Sequence, residues 1–351
     1  MQKSLWALAA LGLAGNAAFA QSSVTVFGIL DVGARYLKNG SLSIKQLSNN
    51  GYSANQLGFR GIEDLGGGLQ AGFWLEAAHS PDVGTSSATT DLSKFWSRRA
   101  TVSLISATLG ELRLGRDLDP SYRNLGAFDA FGNLGVGSNL NLISTLGSGA
   151  TTLVRSDNAI SYFLPSTLGG VYGQFTAAAG EGVPGVKYKA GRIGYAAGPL
   201  NIGAGIGTTG TATSTDYKIA NAGVSYNFGP AIAMLFYNQA KYGNLKQTVM
   251  GVGATAPVGQ WEFRASAQRV NASGRTTTNV STDANDAKLF AIGATYALSK
   301  RTTIYGTASQ ISNDGLSGLA VGTTNPLIPA IAAAAIGRKS TGYEAGIRHA
   351  F

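Results

Sequence analysis

The sequence contains no cysteine and only two histidines, His79 and His349, which stand far apart in the chain. A disulfide framework, a thiolate metal site, a cysteine nucleophile and a multi-histidine metal centre are therefore excluded. Charged residues make up only 13% of the chain, which is roughly half the usual share. This composition disfavours most classes of cytoplasmic enzyme, and we expect no cofactor.

Long hydrophobic runs are missing beyond the N-terminal segment. That segment combines Lys3, an apolar stretch over residues 5–15 and the small-x-small sequence Ala18-Phe19-Ala20, a pattern typical of an export signal. Its apolar stretch is shorter than the about 20 residues that a membrane-spanning helix needs. We therefore predict a cleaved signal peptide over residues 1–20 and a single domain over residues 21–351.

Glycine is abundant, with 49 residues, and the chain alternates in chemical character from residue 23 onward. Val24, Val26 and Leu30 alternate with Thr25 and Asp31 in the first such stretch. A period of two predicts β-strands whose two faces meet different surroundings. A soluble β-sandwich could alternate in this way, but its turns would be short at both ends. The same period returns at residues 69–76, 222–228, 261–268 and 343–351.

The segments between the predicted strands are of two kinds. Long polar stretches rich in Gly, Ser, Thr and Asn lie at residues 38–53, 81–90, 270–286 and 313–339. Tight turns with Gly, Pro or Asp lie at residues 64–68, 109–110, 168–170, 198–199, 229–230, 257–259 and 299–300. Seven turns at one end imply sixteen strands if both termini lie at that end.

Short turns at one end and long loops at the other are typical of an outer-membrane β-barrel. An open sheet edge in hydrocarbon would leave backbone groups unpaired, so the sheet must close. We therefore predict an all-β fold, a transmembrane barrel of sixteen antiparallel strands that is wide enough to hold water.

The last predicted strand places Tyr343, Ile347, His349 and Phe351 on its outer face. A final strand with outward aromatic residues and a terminal Phe resembles the recognition signal of bacterial outer-membrane proteins. This resemblance implies that the barrel-assembly machinery recognises the chain through Phe351.

Five stretches of the chain carry a family pattern. They are SVTVFGILD at residues 23–31, LGFRGIEDLGGGLQAGFWLE at residues 57–76, LRLGRD at residues 112–117, NAISY at residues 158–162 and GIRHAF at residues 346–351. Together they resemble the trimeric general porins of Gram-negative bacteria, and most of all the anion-selective porins of β-proteobacteria. The resemblance implies a sixteen-stranded barrel, a homotrimer in the bacterial outer membrane and a third extracellular loop that folds into the lumen.

The spacing of the turns independently indicates one long loop. The stretch between the turns at Leu109 and Leu168 is longer than two strands and a modest loop require. We assign residues 119–150 as the constriction loop, with Asp119, Arg123 and Asp129 as its charged members. A floppy external loop is the alternative, but the apolar residues between positions 128 and 142 favour packing against a wall.

Rings of charged side chains at a narrow point set the ion preference of a pore. Strand alternation predicts that Arg60, Glu76, Arg113 and Arg155 face the lumen. Arg98 and Arg99 are adjacent, so an unbroken strand directs only one of them inward. Alternation selects Arg99 and the resemblance selects Arg98, and we follow the resemblance.

The resemblance also implies that Arg98 and Arg155 are constriction arginines and that Glu76 is the facing carboxylate. A third arginine expected in this family is replaced by Gln56, for which Arg60 on the same face is a partial substitute. A structural ion pair with Glu76 or a loop aspartate is the alternative role for each arginine.

We predict a passive channel for small hydrophilic solutes and ions, with a preference for anions. Its other partners would be outer-membrane lipid and lipopolysaccharide. Nucleic acid is not expected, because the basic residues are scattered. Catalysis is not expected, because His79 and Ser80 are adjacent and point to opposite faces of a strand. The alternatives are a substrate-specific channel and a surface adhesin or receptor on a plugged barrel.

Overall fold

The computed structural model describes residues 23–86, 94–322 and 333–351, so the predicted signal peptide lies outside the described residues. Two short helices interrupt the loop after β6, α1 at Pro120–Gly126 and a 3₁₀ helix at Asn139–Leu142. The strand segments are β1 Ser23–Asn39, β2 Leu42–Asn49, β3 Gln56–Gly66, β4 Leu69–Ala77, β5 Arg99–Ser106, β6 Gly110–Leu118, β7 Arg155–Phe163, β8 Val171–Ala178, β9 Tyr188–Ala197, β10 Leu200–Thr209, β11 Tyr217–Asn227, β12 Ile232–Tyr242, β13 Leu245–Val258, β14 Trp261–Ser273, β15 Ala287–Ala297, β16 Thr302–Asn313 and β17 Lys339–Ala350.

These segments form one closed antiparallel sheet. Each segment from β3 to β16 pairs with the next one along the chain, and β17 pairs with β1 from Ile29↔Ala350 to Asn39↔Ser340. The first part of β1, residues 23–29, pairs with β3, and its second part, residues 32–39, pairs with β2. Because β2 and β3 are two parts of one barrel strand, the seventeen segments of the described residues make sixteen barrel strands. The predicted fold class is confirmed.

All seven predicted tight turns connect strands at the end of the barrel where β1 begins. The opposite end carries the longer loops, and the longest connection there runs from the end of β6 to the start of β7. One stretch differs from its prediction, because much of residues 38–53 is β-structure. Residues 38 and 39 end β1, and β2 pairs with β1 over eight residue pairs, as in Leu37↔Ile44.

The two faces of the barrel differ as the alternation predicted. Large apolar side chains such as Val102, Leu104, Ile160, Phe290 and Ile347 are exposed on the outer face. Aromatic residues cluster on that face near the tight turns, where Trp261 lies 4.8 Å from Tyr296, between ring centroids. This is the arrangement of a lipid-facing surface bounded by an aromatic girdle. Within the described residues no helix is long and apolar enough to cross a membrane.

The hydrophobic core lies inside the barrel, where the β6–β7 connection packs against the wall. Phe128, Val136 and Leu142 of that connection are buried together with the strand residues Val249 and Leu289. The connection therefore lies within the lumen, as predicted.

Candidate pore constriction

The lumenal face of β3, β4 and β5 carries a group of charged and aromatic side chains. Cross-strand pairing puts Arg60 opposite Trp74, and Glu76 opposite Arg99. Residues directly opposite on one face of an antiparallel pair have Cβ atoms about 5 Å apart. Gln56 has the orientation of Arg60 and lies opposite Ile29, further towards the extracellular end.

Arg60 and Arg99 rest on aromatic rings. The guanidinium carbon of Arg60 lies 5.5 Å from the ring centroid of Phe27 and 5.1 Å from that of Trp74. The guanidinium carbon of Arg99 lies 4.4 Å from the Trp74 centroid. Neither arginine forms an ion pair with another described residue. A cation–π contact fixes the position of a charge without neutralising it, so both charges act on the lumen.

Arg98 reaches the same group although Arg99 also faces inward. Strand β5 begins at Arg99, so residue 98 is not held to the alternation of the strand. The guanidinium of Arg98 forms an ion pair with the carboxylate of Glu76, to which Trp74 Nε1 also donates over 2.9 Å. Both Arg98 and Arg99 therefore contribute to the site, although only one of them was expected to do so.

The lumenal orientation that strand alternation predicted for Arg155 was wrong. Residues 115 and 117 of β6 pair with residues 159 and 156 of β7, so β7 carries an extra residue between these pairs. This bulge, at which Asn158 has a φ of 52°, puts Ser156 on the lumenal face in place of Arg155. Arg155 nevertheless lies beside the group, since its Nε donates to the Arg98 carbonyl oxygen over 2.7 Å.

Arg113 faces the lumen between two carboxylates. Its Nε donates to Glu111 over 2.8 Å, and its Nη1 forms an ion pair with Asp117. Asp117 also accepts from Nη2 of Arg123 over 2.8 Å. Because Arg123 lies in α1, this network connects the barrel wall to the constriction loop.

The β6–β7 connection, residues 119–154, contains the predicted constriction loop of residues 119–150 and follows the wall along a row of inward-facing strand glycines. A Cβ on Gly223 would lie 2.2 Å from the Phe128 ring, and a Cβ on Gly342 would lie 2.9 Å from Val136. Any side chain at these glycines would therefore displace the loop. The loop also makes a polar contact with the wall beside Gly342. The Val136 N–H donates a hydrogen bond to the Glu344 carboxylate over 3.0 Å.

The two aspartates that we predicted as charged members of the constriction loop are buried, so they do not present their carboxylates to the lumen. Asp129 accepts hydrogen bonds from the backbone N–H groups of residues 131, 133 and 139, and burial raises its pKa. Burial raises the pKa of Asp119 to about 8, against a hydrogen bond from Ser156 and the charges of Arg116 and Arg155. Of the three predicted loop residues, only Arg123 contributes a charge that is partly exposed.

Three residues near the site were not predicted. Glu111 and Asp117 hold Arg113, and both lie on its face by simple alternation, a signal that was present in the sequence. The third is Arg192 of β9, whose guanidinium carbon lies 5.1 Å from the ring centroid of Tyr172 in β8. Its signal was also present in the sequence, because Ile193 and Tyr195 follow it with the alternation of an apolar outer face.

The arginine-rich wall borders a recess of about 370 Å³, lined by Thr25, Arg60, Trp74, Arg99 and Arg113 among others. In the described part of the chain no three His, Asp or Glu side chains come together in a way that could hold a metal ion. The arrangement offers positive charge and aromatic surface along a lumenal wall, which is suited to attracting and guiding anions.

A closed barrel with an apolar outer face, a polar lumen and an internal loop defines an outer-membrane channel. The chain belongs to the Gram-negative porin family, whose model matches residues 7–316. Its place is the bacterial outer membrane.

Relatives and solved structures agree with this assignment. The chain is 36% identical to outer membrane porin protein 32 of Delftia acidovorans over the full length of both proteins. It is 30% identical to an outer membrane porin protein of Bordetella pertussis over 70% of this chain and 61% of that protein. The structure of an anion-selective porin from Comamonas acidovorans superimposes with a TM-score of 0.79 at 32% identity, covering 94% of this chain and 100% of that one.

Proposed function

We propose that the channel prefers anions and that its lumenal arginines produce this preference. The observation that carries the proposal is the charge imbalance at the site. Glu76, Glu111 and Asp117 are the carboxylates that pair with these arginines. The lumenal arginines are Arg60, Arg98, Arg99, Arg113 and Arg123.

The imbalance matters because arginine remains charged throughout the physiological pH range. An excess of fixed positive charge raises the local concentration of anions, and salt screens this effect. The anion-selective name of the similar Comamonas acidovorans porin supports the proposal. Gln56 reduces the charge on the wall, so we expect a moderate preference.

The proposed mode of action is passive diffusion of small hydrophilic solutes without covalent chemistry. A substrate-specific channel would be favoured by a continuous lumenal row of aromatic rings, whereas Phe27 and Trp74 form a single T-shaped pair at 5.2 Å. Recognition by the barrel-assembly machinery and removal of residues 1–20 stay predictions.

We further propose that the protein is a homotrimer. The outer face of β3 to β7 supports this proposal. Phe95 is exposed there against Trp96, at 4.7 Å between ring centroids, and Asp157 pairs with both Lys94 and Arg116. Exposed aromatic rings beside satisfied ion pairs are typical of subunit contacts.

The ion preference is tested by the zero-current potential of the purified protein in a planar bilayer under a salt gradient. We expect a potential of the anion-preferring sign that shrinks in Arg60→Gln/Arg99→Gln. Lys300→Gln/Arg301→Gln, at a turn outside the pore, is the charge-matched control and should leave the potential unchanged. A cation-preferring potential would contradict the proposal, and the absence of any conductance would favour the adhesin or receptor alternative.

A further inference from the structure

Part of the lumenal wall on the periplasmic side of the arginines is apolar. Strand pairing puts Ile62 opposite Gly72, one row closer to the tight turns than Arg60 opposite Trp74. Ile105 lies on the same face of the neighbouring strand β5. Because Gly72 has no side chain, the two isoleucines converge above it. A Cβ on Gly72 would lie 3.2 Å from Cδ1 of Ile105 and 4.0 Å from Cγ1 of Ile62.

These two isoleucines, Ile62 and Ile105, form an apolar floor in a wall that faces water. Ile62 is 52% exposed, although it lies on the lumenal face. Residues that face the lumen of a water-filled barrel are ordinarily polar. Exposed apolar surface with a few polar groups around it is typical of ligand-binding sites. The apolar floor therefore points to a ligand with an apolar part.

Two arginines without ion pairs border the apolar floor. Arg60 and Arg99 line the same recess of about 370 Å³ as Ile62 and Ile105. Nε of Arg99 donates to Thr101 over 2.9 Å, and neither arginine forms an ion pair with another described residue. Their terminal N–H groups therefore remain for a carboxylate, whose two oxygens match the planar guanidinium.

The size and polarity of the recess favour one class of ligand. Sites for small molecules have volumes of about 300–1,000 Å³, and this recess is at the small end of that range. A second negative charge on the ligand would meet the apolar floor or the carboxylate of Glu111, which also lines the recess. An inorganic anion would leave the floor in contact with water. A rigid ring loses less conformational freedom on binding than a flexible chain does.

We propose that this recess binds aromatic monocarboxylates, of which benzoate is the simplest. The carboxylate contacts Arg60 and Arg99, and the ring covers the apolar floor. This proposal rests on the proposed anion preference, because the same arginines attract the ligand into the lumen. A weak site inside a pore raises the local concentration of its ligand and still releases it. At low concentration, aromatic acids should therefore pass more readily than acids of the same charge without a ring.

Titration of the chloride conductance of the purified channel with benzoate tests the proposal, in a planar bilayer at about 0.1 M salt. We expect a saturable decrease, because bound benzoate compensates the charge of the two arginines. Acetate has the same charge and no ring, so it should cause no saturable decrease at the same concentrations. This comparison is made on the unaltered protein and needs no variant.

A variant of the apolar floor separates the ring contact from the charge contact. Ile62→Thr/Ile105→Thr keeps both arginines, so its zero-current potential should be unchanged, while benzoate should inhibit it about tenfold more weakly. Leu65→Thr/Leu109→Thr is the matched control, because both leucines are exposed in tight turns outside the pore. It should respond to benzoate as the unaltered protein does.

Equal inhibition by acetate and benzoate would overturn the proposal, because charge alone would then suffice. Equal inhibition of the floor variant and the unaltered protein would overturn it for the same reason. An anion-preferring zero-current potential without any effect of benzoate would overturn the aromatic site and leave the proposed function intact. A cation-preferring potential would overturn both.

Discussion

At the scale of single residues, the partner of each lumenal arginine determines how much of its charge reaches a passing ion. Arg98 and Arg113 face carboxylates, whereas Arg60 and Arg99 face aromatic rings. A cation on a ring keeps its full charge and loses mobility. The wall therefore combines paired arginines that are fixed in place with unpaired ones that produce the field.

Removing the carboxylate of Glu76 should strengthen the anion preference. The variant Glu76→Gln leaves Arg98 without a counter-charge and keeps an oxygen that can accept from Trp74. A unit charge about 5 Å from an ion in water changes its energy by about 0.8 kcal/mol, which is about fourfold for each ion and opposite in sign for anions and cations. The anion-to-cation permeability ratio should therefore rise by up to about sixteenfold. Zero-current potentials at about 0.1 M salt measure this, because screening is weaker there than at about 1 M. An unchanged or lower ratio would show that Glu76 lies outside the ion path.

Burial of Asp119 should make the protein less stable as the pH rises. Its pKa is about 8 in the folded protein and 3.8 ordinarily. Between these values the folded state keeps a proton that the unfolded state has released, so stability is lost as the pH increases from about 4 to about 8. Below pH about 4 and above pH about 8, the contribution of Asp119 to the free energy of unfolding does not change with pH.

Thermal unfolding of Asp119→Asn across that pH range tests this expectation. The neutral amide cannot titrate, so the variant should lose less stability between pH about 4 and about 8 than the unaltered protein. Asp283→Asn is the control, because hydrogen bonds from Gly274 and Ser281 lower the pKa of this exposed carboxyl. Parallel pH profiles for Asp119→Asn and the unaltered protein would contradict the prediction.

Strand alternation was sufficient to orient Arg60, Glu76 and Arg113, because each lies within a regular strand. It was insufficient for Arg155, because a bulge changes the face of every residue beyond it. For the pair at positions 98 and 99 it oriented Arg99 correctly, but the premise that only one of the two reaches the lumen was wrong, since the strand begins between them. The start of a strand and a single inserted residue depend on tertiary pairing, which a local period does not record.

At the scale of elements, the constriction loop is held by contacts between its larger side chains and strand glycines. The sequence predicted the length and inward position of the loop. The burial of its aspartates depends on loop backbone N–H groups that converge on Asp129. Such convergence comes from the folded path of the loop, so composition alone could not reveal it.

Adding one methyl group at Gly223 should disturb the loop. A Cβ there would meet the Phe128 ring at 2.2 Å, whereas a Cβ on Gly306 would have its nearest neighbour at 3.8 Å. We expect Gly223→Ala to lower stability by about 1–3 kcal/mol, the usual effect of overpacking. It should also lower single-channel conductance, because the loop can move only towards the open lumen.

Gly306→Ala is the matched control, and its stability should stay within about 0.5 kcal/mol of the unaltered protein. Denaturant unfolding and single-channel recording of both variants compare the two positions. Equal behaviour of the two variants would show that Phe128 does not hold the loop against β11.

At the scale of the whole molecule, positive charge is distributed unevenly around the outer surface. In one sector, at the extracellular ends of β11 to β15, exposed lysines have no ion pair among the described residues and Arg269 meets Asp286 at 3.5 Å. In a second sector, near β6 and β7, the charges are paired with Asp157. The second sector, with the exposed ring of Phe95 against the half-buried ring of Trp96, suits contact with another subunit.

A charge introduced into the second sector should therefore dissociate the proposed trimer. In Phe95→Glu a carboxylate replaces a ring that is 55% exposed in the single chain, and burying it unpaired between subunits is unfavourable. Phe228→Glu makes the same exchange at a ring that is 64% exposed in a tight turn, away from this sector. Light scattering in detergent should give three subunits for the unaltered protein and for Phe228→Glu, and one for Phe95→Glu. Three subunits in both variants would place the contact elsewhere on the barrel, and one subunit in the unaltered protein would contradict the trimer itself.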